Sequence, residues 1–123
     1  MMKTEAIPNH TSELIKKYLA LLDELYKLAS STETSSKVLE KLSSLSDSYI
    51  LTAIALNPNT PAKVLNKLYN HHPGIGGTDE EMRIHIICNA ALPAKYLKQF
   101  AETDESEVVR KVAIRALELA DLG

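Results

Sequence analysis

Three stretches of this chain carry residue types that could do chemistry. His71-His72, followed by Asp79, Glu80 and Glu81, supplies nitrogen and oxygen donors of the kind that bind a metal ion. The two histidines are adjacent rather than four apart, so a helix cannot place both on one face, and the spacing argues against a metal site. Gly74-Ile75-Gly76-Gly77-Thr78 has the glycine content of a phosphate-binding loop. It lacks the Lys before Ser/Thr and the preceding strand that such a loop requires, and reads as a plain flexible loop. Cys88 is the single cysteine. A nucleophilic thiol needs a base and an electropositive setting, and neither lies nearby in sequence, so Cys88 reads as a small core residue. No Ser-His-Asp set, carboxylate pair or metal-ligand set emerges. The expectation is a protein that is not an enzyme, with no cofactor.

Charge recurs with more order than chemistry does. Carboxylates gather at or just before one set of expected helices: Asp47; Asp79, Glu80 and Glu81; Asp104, Glu105 and Glu107. Acids there cap a helix and complement its dipole, which is a sufficient local reason for them. Stacked side by side they would also make one edge negative, next to the His71-His72 loop, and a negative edge suits a basic partner. Lysines recur at Lys37, Lys63 and Lys95, and four residues on at Lys17, Lys41 and Lys67. They read as a solvated outer face, or as a track for phosphates or an acidic partner.

Both patterns depend on a repeat. Asn57-Pro58-Asn59-Thr60-Pro61-Ala62-Lys63-Val64-Leu65-Asn66-Lys67-Leu68 begins as a turn and ends as a helix. The residue before proline is pushed out of the α region, Thr60 can cap the helix, and Pro61 suits its first position. Thr34 to Leu42 and Leu92 to Phe100 overlay Thr60 to Leu68, and Pro8 to Tyr18 is a weaker fourth copy. The anchor residues Ile15, Leu39, Leu65 and Leu97 are 24, 26 and 32 residues apart, a period that signals a solenoid. Apolar residues at three- and four-residue steps predict helices over 11–29, 38–42, 49–56, 61–70, 79–88, 93–102 and 105–120. Residues 1–10 read as an N-terminal tail and 71–78 as an inserted loop, within one domain spanning 1–123. In the second helix of each copy, Ile50, Met82 and Val108 are expected to be equivalent, as are Ile54, Ile86 and Val112. The expected fold is all-α: a right-handed α-solenoid of about four short two-helix repeats with an N-terminal capping helix.

The pattern Ile50-x-x-x-Ile54-Ala55-x-Asn57-Pro58-x-Thr60-Pro61-x-x-x-Leu65-x-x-Leu68 recurs from Met82 to Phe100, and Asp104 to Ala113 closes the series. Over residues 24–116 it resembles the variant leucine-rich repeat family and, more loosely, HEAT-like α-solenoids. The resemblance implies repeats stacked in a right-handed superhelix. Some members of that family carry a cysteine cluster that holds an iron–sulfur centre. With Cys88 alone, this chain departs from them and the cluster does not carry over.

Composition sets the remaining bounds. Lys and Arg number 14 against 16 Asp and Glu, a net charge of −2, which argues against nucleic acid as the partner. No apolar run approaches a membrane span, and Met1 to Pro8 has no signal-peptide core, so a cytoplasmic protein is expected. A small solenoid without chemistry works by surface. The expectation is a non-catalytic binding module, among which an immunity protein that covers the active site of a bacterial toxin such as a nuclease fits best. The candidate partner-binding residues are Asp79, Glu80, Glu81, Asp104, Glu105, Glu107, His71 and His72. The alternatives are a nucleic-acid-binding protein using the lysine ridge, or a general adaptor. Leu65→Ala should cost roughly 2–5 kcal/mol in denaturant unfolding, the range for truncating a buried leucine. A change within error would mean that the repeat register is wrong.

Overall fold

The structure, a computed structural model, describes residues 6–70 and 80–122. It is all-helical: α1 (Ala6–Ser30), α2 (Ser36–Leu42), α3 (Ser48–Leu56), α4 (Ala62–Asn70), α5 (Glu80–Ile87), α6 (Ala94–Thr103) and α7 (Glu107–Leu122). Every expected helix is present within a few residues. The largest difference is at the start, where α1 begins at Ala6, so that residues 6–10, expected as tail, are already helical. Pro8 falls in the first turn, where its missing N–H leaves no helix bond unmade. The expected loop at 71–78 lies outside the described residues.

Local signals set the helix starts. The Ser35 hydroxyl accepts from the Val38 N–H, and the Asp47 carboxylate accepts from the Ile50 N–H at 3.0 Å. The Ser106 hydroxyl accepts from the Val109 N–H. Pro61 and Pro93 each stand one residue before a helix, and their carbonyls accept its first backbone bonds. Thr60 does not cap α4. Its buried hydroxyl instead donates back to the Ile54 carbonyl at 2.7 Å, and Thr34 donates in the same way to the Leu28 carbonyl. Both threonines therefore satisfy the orphan carbonyls at the end of the preceding helix.

The helices pack in sequence order. α1 packs on α3, α3 on α5 and α5 on α7, with α2, α4 and α6 set against this row. The core runs between them through Leu39, Ile54, Leu65, Ile86, Phe100 and Val109. Leu39, Leu65 and Leu97 are all buried, as their shared spacing requires. Ile15 is not: it is 52% exposed. Among the described side chains of α1, those that reach the core are Leu22, Leu25 and Ala29.

The last helix is one residue out of the expected phase. Val109 and Ala113 are buried, whereas Val108 is exposed and Val112 only half-buried. The cause is the cap. Ser106 occupies the place that Asp47 holds before α3, so Val109 aligns with Ile50. Cys88 is also corrected: it is exposed, as is Leu56, one residue before Asn57 as Cys88 is before Asn89. Each directly follows a buried pair, Ile54-Ala55 or Ile86-Ile87.

Asn57 ties successive turns together. Its side-chain amide donates to the Ala29 carbonyl at 2.8 Å and to the Ser31 carbonyl at 2.9 Å. Its side-chain oxygen accepts from the Asn59 N–H. Asn89 repeats all three bonds one copy later, donating to the carbonyls of Ala55 and Asn57 and accepting from the Ala91 N–H. Each buried asparagine thus fills polar groups that no helix can satisfy. Asn57→Ala would remove the side-chain donor of the buried Ala29 carbonyl and should cost about 1–3 kcal/mol in urea unfolding. A loss under about 0.5 kcal/mol, the range of ordinary surface substitutions, would show that the bonds contribute little.

Candidate functional site

The expected negative edge separates into two environments. Glu80 and Glu81 open α5, and Glu107 opens α7 with Glu105 just before it. All four are exposed. The Ser106 hydroxyl donates to the Glu80 carboxylate, which brings the starts of α5 and α7 together although 26 residues separate the two groups in sequence. Both helix N-termini carry partial positive charge, which stabilises the carboxylates in their first turns. Glu107 also meets Lys111 at 3.6 Å on the surface of α7, a pair worth little in water. His71, His72 and Asp79 lie outside the described residues.

Asp104 does not belong to that exposed edge. It is buried at the end of α6 and is the hub of a polar knot. Its carboxylate accepts from the Arg83 Nε at 2.9 Å and Nη2 at 3.2 Å, from the Tyr69 hydroxyl, and from the Ser106 N–H at 2.8 Å. Its carbonyl accepts from Arg110 at 2.6 Å. Groups from α4, α5 and α7 therefore converge on the end of α6. The Tyr69 ring stacks on Phe100 with 5° between the planes, which fixes where its hydroxyl points.

This environment separates the acidities of the two partners. Burial alone would raise the Asp104 pKa, but the hydrogen bonds from Tyr69, Ser106 and Arg83, with the guanidinium charge, outweigh it and hold the carboxyl below its usual value. Burial, followed by the hydrogen bond to Asp104 and its negative charge, pushes the Tyr69 phenol well above its usual value. Asp104 is thus ionised and Tyr69 neutral across the physiological range. The knot ties α4, α5 and α7 to the end of α6.

The lysine series is on the surface but is not a continuous cationic track. Lys63 pairs with Glu40 at 3.1 Å, Lys67 reaches the Ser43 hydroxyl at 3.4 Å, and Lys95 lies over the Tyr96 ring. Glu40 therefore sits among the lysines of α2 and α4 and offsets part of their charge. Among the described residues, no group of three His, Cys, Asp or Glu side chains stands close enough to hold a metal ion. No described helix is long and apolar enough to cross a membrane.

The knot was hidden in the sequence. Arg83 and Tyr69 lie 21 and 35 residues from Asp104, and nothing separates Asp104 from Glu105 and Glu107 except packing. The available signal was chemical: in a turn an Asp side chain accepts from the N–H two residues on, as Asp104 does from Ser106. Comparison of this chain with family models, curated proteins and solved structures finds no match.

Asp104 binds fewer protons when folded than its unfolded pKa dictates. Its contribution is therefore present above the unfolded value of about 3.9 and is lost as pH falls through the lower folded value. Asp104→Asn should cost roughly 3–5 kcal/mol at neutral pH, because it removes the carboxylate facing a buried guanidinium. Its unfolding free energy should also change less than wild type between pH 5 and acid, a window set by the unfolded pKa of about 3.9. Parallel acid-unfolding curves for the two proteins would contradict this role.

Proposed function

We propose that the chain is a small α-solenoid of about four two-helix repeats, similar in build to variant leucine-rich repeat and HEAT-like proteins, that binds another protein without catalysis. The row of helices joined by matching asparagine bonds supports the repeat reading. The working surface is the edge formed by Glu80, Glu81, Glu105 and Glu107, and its partner is a basic protein domain. A bacterial toxin such as a nuclease suits it best, with the chain acting as its cytoplasmic immunity protein by covering the active cleft.

One observation carries this choice of face. The Ser106–Glu80 bond joins the starts of α5 and α7, so that four exposed carboxylates from two segments stand along one edge. Exposed charges of one sign steer an oppositely charged partner and act mainly on the association rate. The lysine face is the weaker candidate, since Glu40 pairs within it and whole-chain charge is −2.

The test reverses Glu80, Glu81, Glu105 and Glu107 to lysine, with circular dichroism as the check on folding. Binding is measured against purified basic nuclease domains and, in parallel, against duplex DNA. Wild type should bind a nuclease domain with an association rate that falls as salt rises. The reversed variant should associate at least about tenfold more slowly. A second variant reverses Lys37, Lys41, Lys63 and Lys67 to glutamate. If that one loses binding while the first retains it, or if duplex DNA is the ligand bound, the acidic-edge reading is wrong.

A further inference from the structure

The asparagine series stops short of the last helix. Asn57 stands seven residues after Ile50, and Asn89 seven after Met82, each just past the end of its helix. The residue seven after Val109 is Ala116. There α7 does not turn. It runs on to Leu122, with 16 residues where α3 has 9 and α5 has 8. The position that carries a side-chain amide in two copies carries a methyl group in the third.

The turn that such an amide would serve is built like the one before it. Asn89 N–H donates to the Ile86 carbonyl and Leu92 N–H to the Asn89 carbonyl, as Asn57 N–H does to Ile54 and Thr60 N–H to Asn57. Asn57 gives its amide to the carbonyls of Ala29 and Ser31, and Asn89 gives its own to those of Ala55 and Asn57. The next pair in the series is Ile87 and Asn89. The Ile87 carbonyl ends α5, and no donor from the described residues reaches it. The Asn89 carbonyl accepts only the Leu92 N–H among them, at 3.0 Å. The equivalent Asn57 carbonyl uses both lone pairs, taking the Thr60 N–H at 3.1 Å and the Asn89 amide at 3.0 Å.

Ile87, Asn89 and Ala116 line one pocket of about 570 Å³, bounded by this turn, α6 and the C-terminal half of α7. Its walls are apolar, with Leu92, Leu97, Val112 and Leu119, and the volume is that of a small-molecule site. The Asn89 side chain is fully engaged elsewhere, so the backbone carbonyls set the polar chemistry together with Cys88 and Arg115. Two acceptors call for two N–H groups. A carboxylate would set its charge against carbonyl oxygens. An ammonium would share the pocket with the Arg115 guanidinium. A neutral primary carboxamide has two N–H groups on one nitrogen, as the side chains of Asn57 and Asn89 do. We propose that this pocket binds a small neutral ligand made of a primary carboxamide on an apolar body. Its NH₂ donates to the carbonyls of Ile87 and Asn89, and its body lies against Val112 and Leu119.

The test is titration of the wild-type chain with hexanamide, followed by nuclear magnetic resonance. Hexanoate, hexylamine and N,N-dimethylhexanamide keep the apolar body and change the head group. Hexanamide should bind at least about tenfold more tightly than each of them, because only it brings two neutral N–H groups to the carbonyls. The largest shifts should fall on the backbone nitrogens of Cys88 and Ala90, which are bonded to the two carbonyl carbons. Ala116→Gln, which offers an amide from α7 itself, and Ala116→Leu, which fills the pocket without a donor, should each weaken hexanamide binding by at least about tenfold. Circular dichroism checks that they fold, and the head-group series on wild type decides the matter if neither does. Hexanamide that fails to bind up to its solubility, that binds no better than the other three, or that shifts residues away from this turn and α7 would overturn the proposal. So would a folded Ala116 variant that binds it normally.

Discussion

The buried asparagine bond between successive turns is the constraint on which the described structure depends. A helical row leaves its turns full of backbone groups that no helix can satisfy, and these turns lie between helices rather than in open water. Asn57 and Asn89 resolve this at equivalent positions, each reaching back to two carbonyls of the preceding copy. Ser31 holds the corresponding place in the first copy, where its hydroxyl accepts the Glu33 N–H, but its side chain is too short to reach further.

A different device holds the C-terminal end. There Asp104 stands in a turn and accepts the N–H two residues on, as the asparagines do. Being charged, it draws Arg83 and Tyr69 inward rather than reaching for backbone carbonyls. A buried ion pair is weak as a source of stability but severe as a constraint, because removing one partner leaves the other's charge less well compensated. The arrangement fixes α4, α5, α6 and α7 around one carboxylate. It also leaves the neighbouring Glu105 and Glu107 exposed on the surface.

Sequence made the helices and most of the core legible because spacing and burial have the same cause. Leu39, Leu65 and Leu97 share a phase and all three are buried. The errors fall where spacing stops being informative. Ile15 matches the anchor pattern but is half exposed, since the described residues of α1 that reach the core lie in its C-terminal half. Val108 and Val109 are adjacent and alike, so only the cap at Ser106 decides which points inward. Cys88 follows two buried isoleucines and is nevertheless exposed, because it stands just past the end of α5, where helical spacing no longer says which residue is covered. The candidate site was legible as a cluster of acids but not as two populations, since the partners that bury Asp104 are distant in sequence.

The central claim is that Asn57 and Asn89 lock each turn to the one before it. Nuclear magnetic resonance of the side-chain amide protons tests this most directly. The NH₂ protons of Asn57 and Asn89 should exchange slowly with solvent and show contacts to Ala29 and Ala55 respectively. Those of Asn70, which is exposed and bonded only within α4, should exchange fast. Equal, rapid exchange at all three positions would contradict the account.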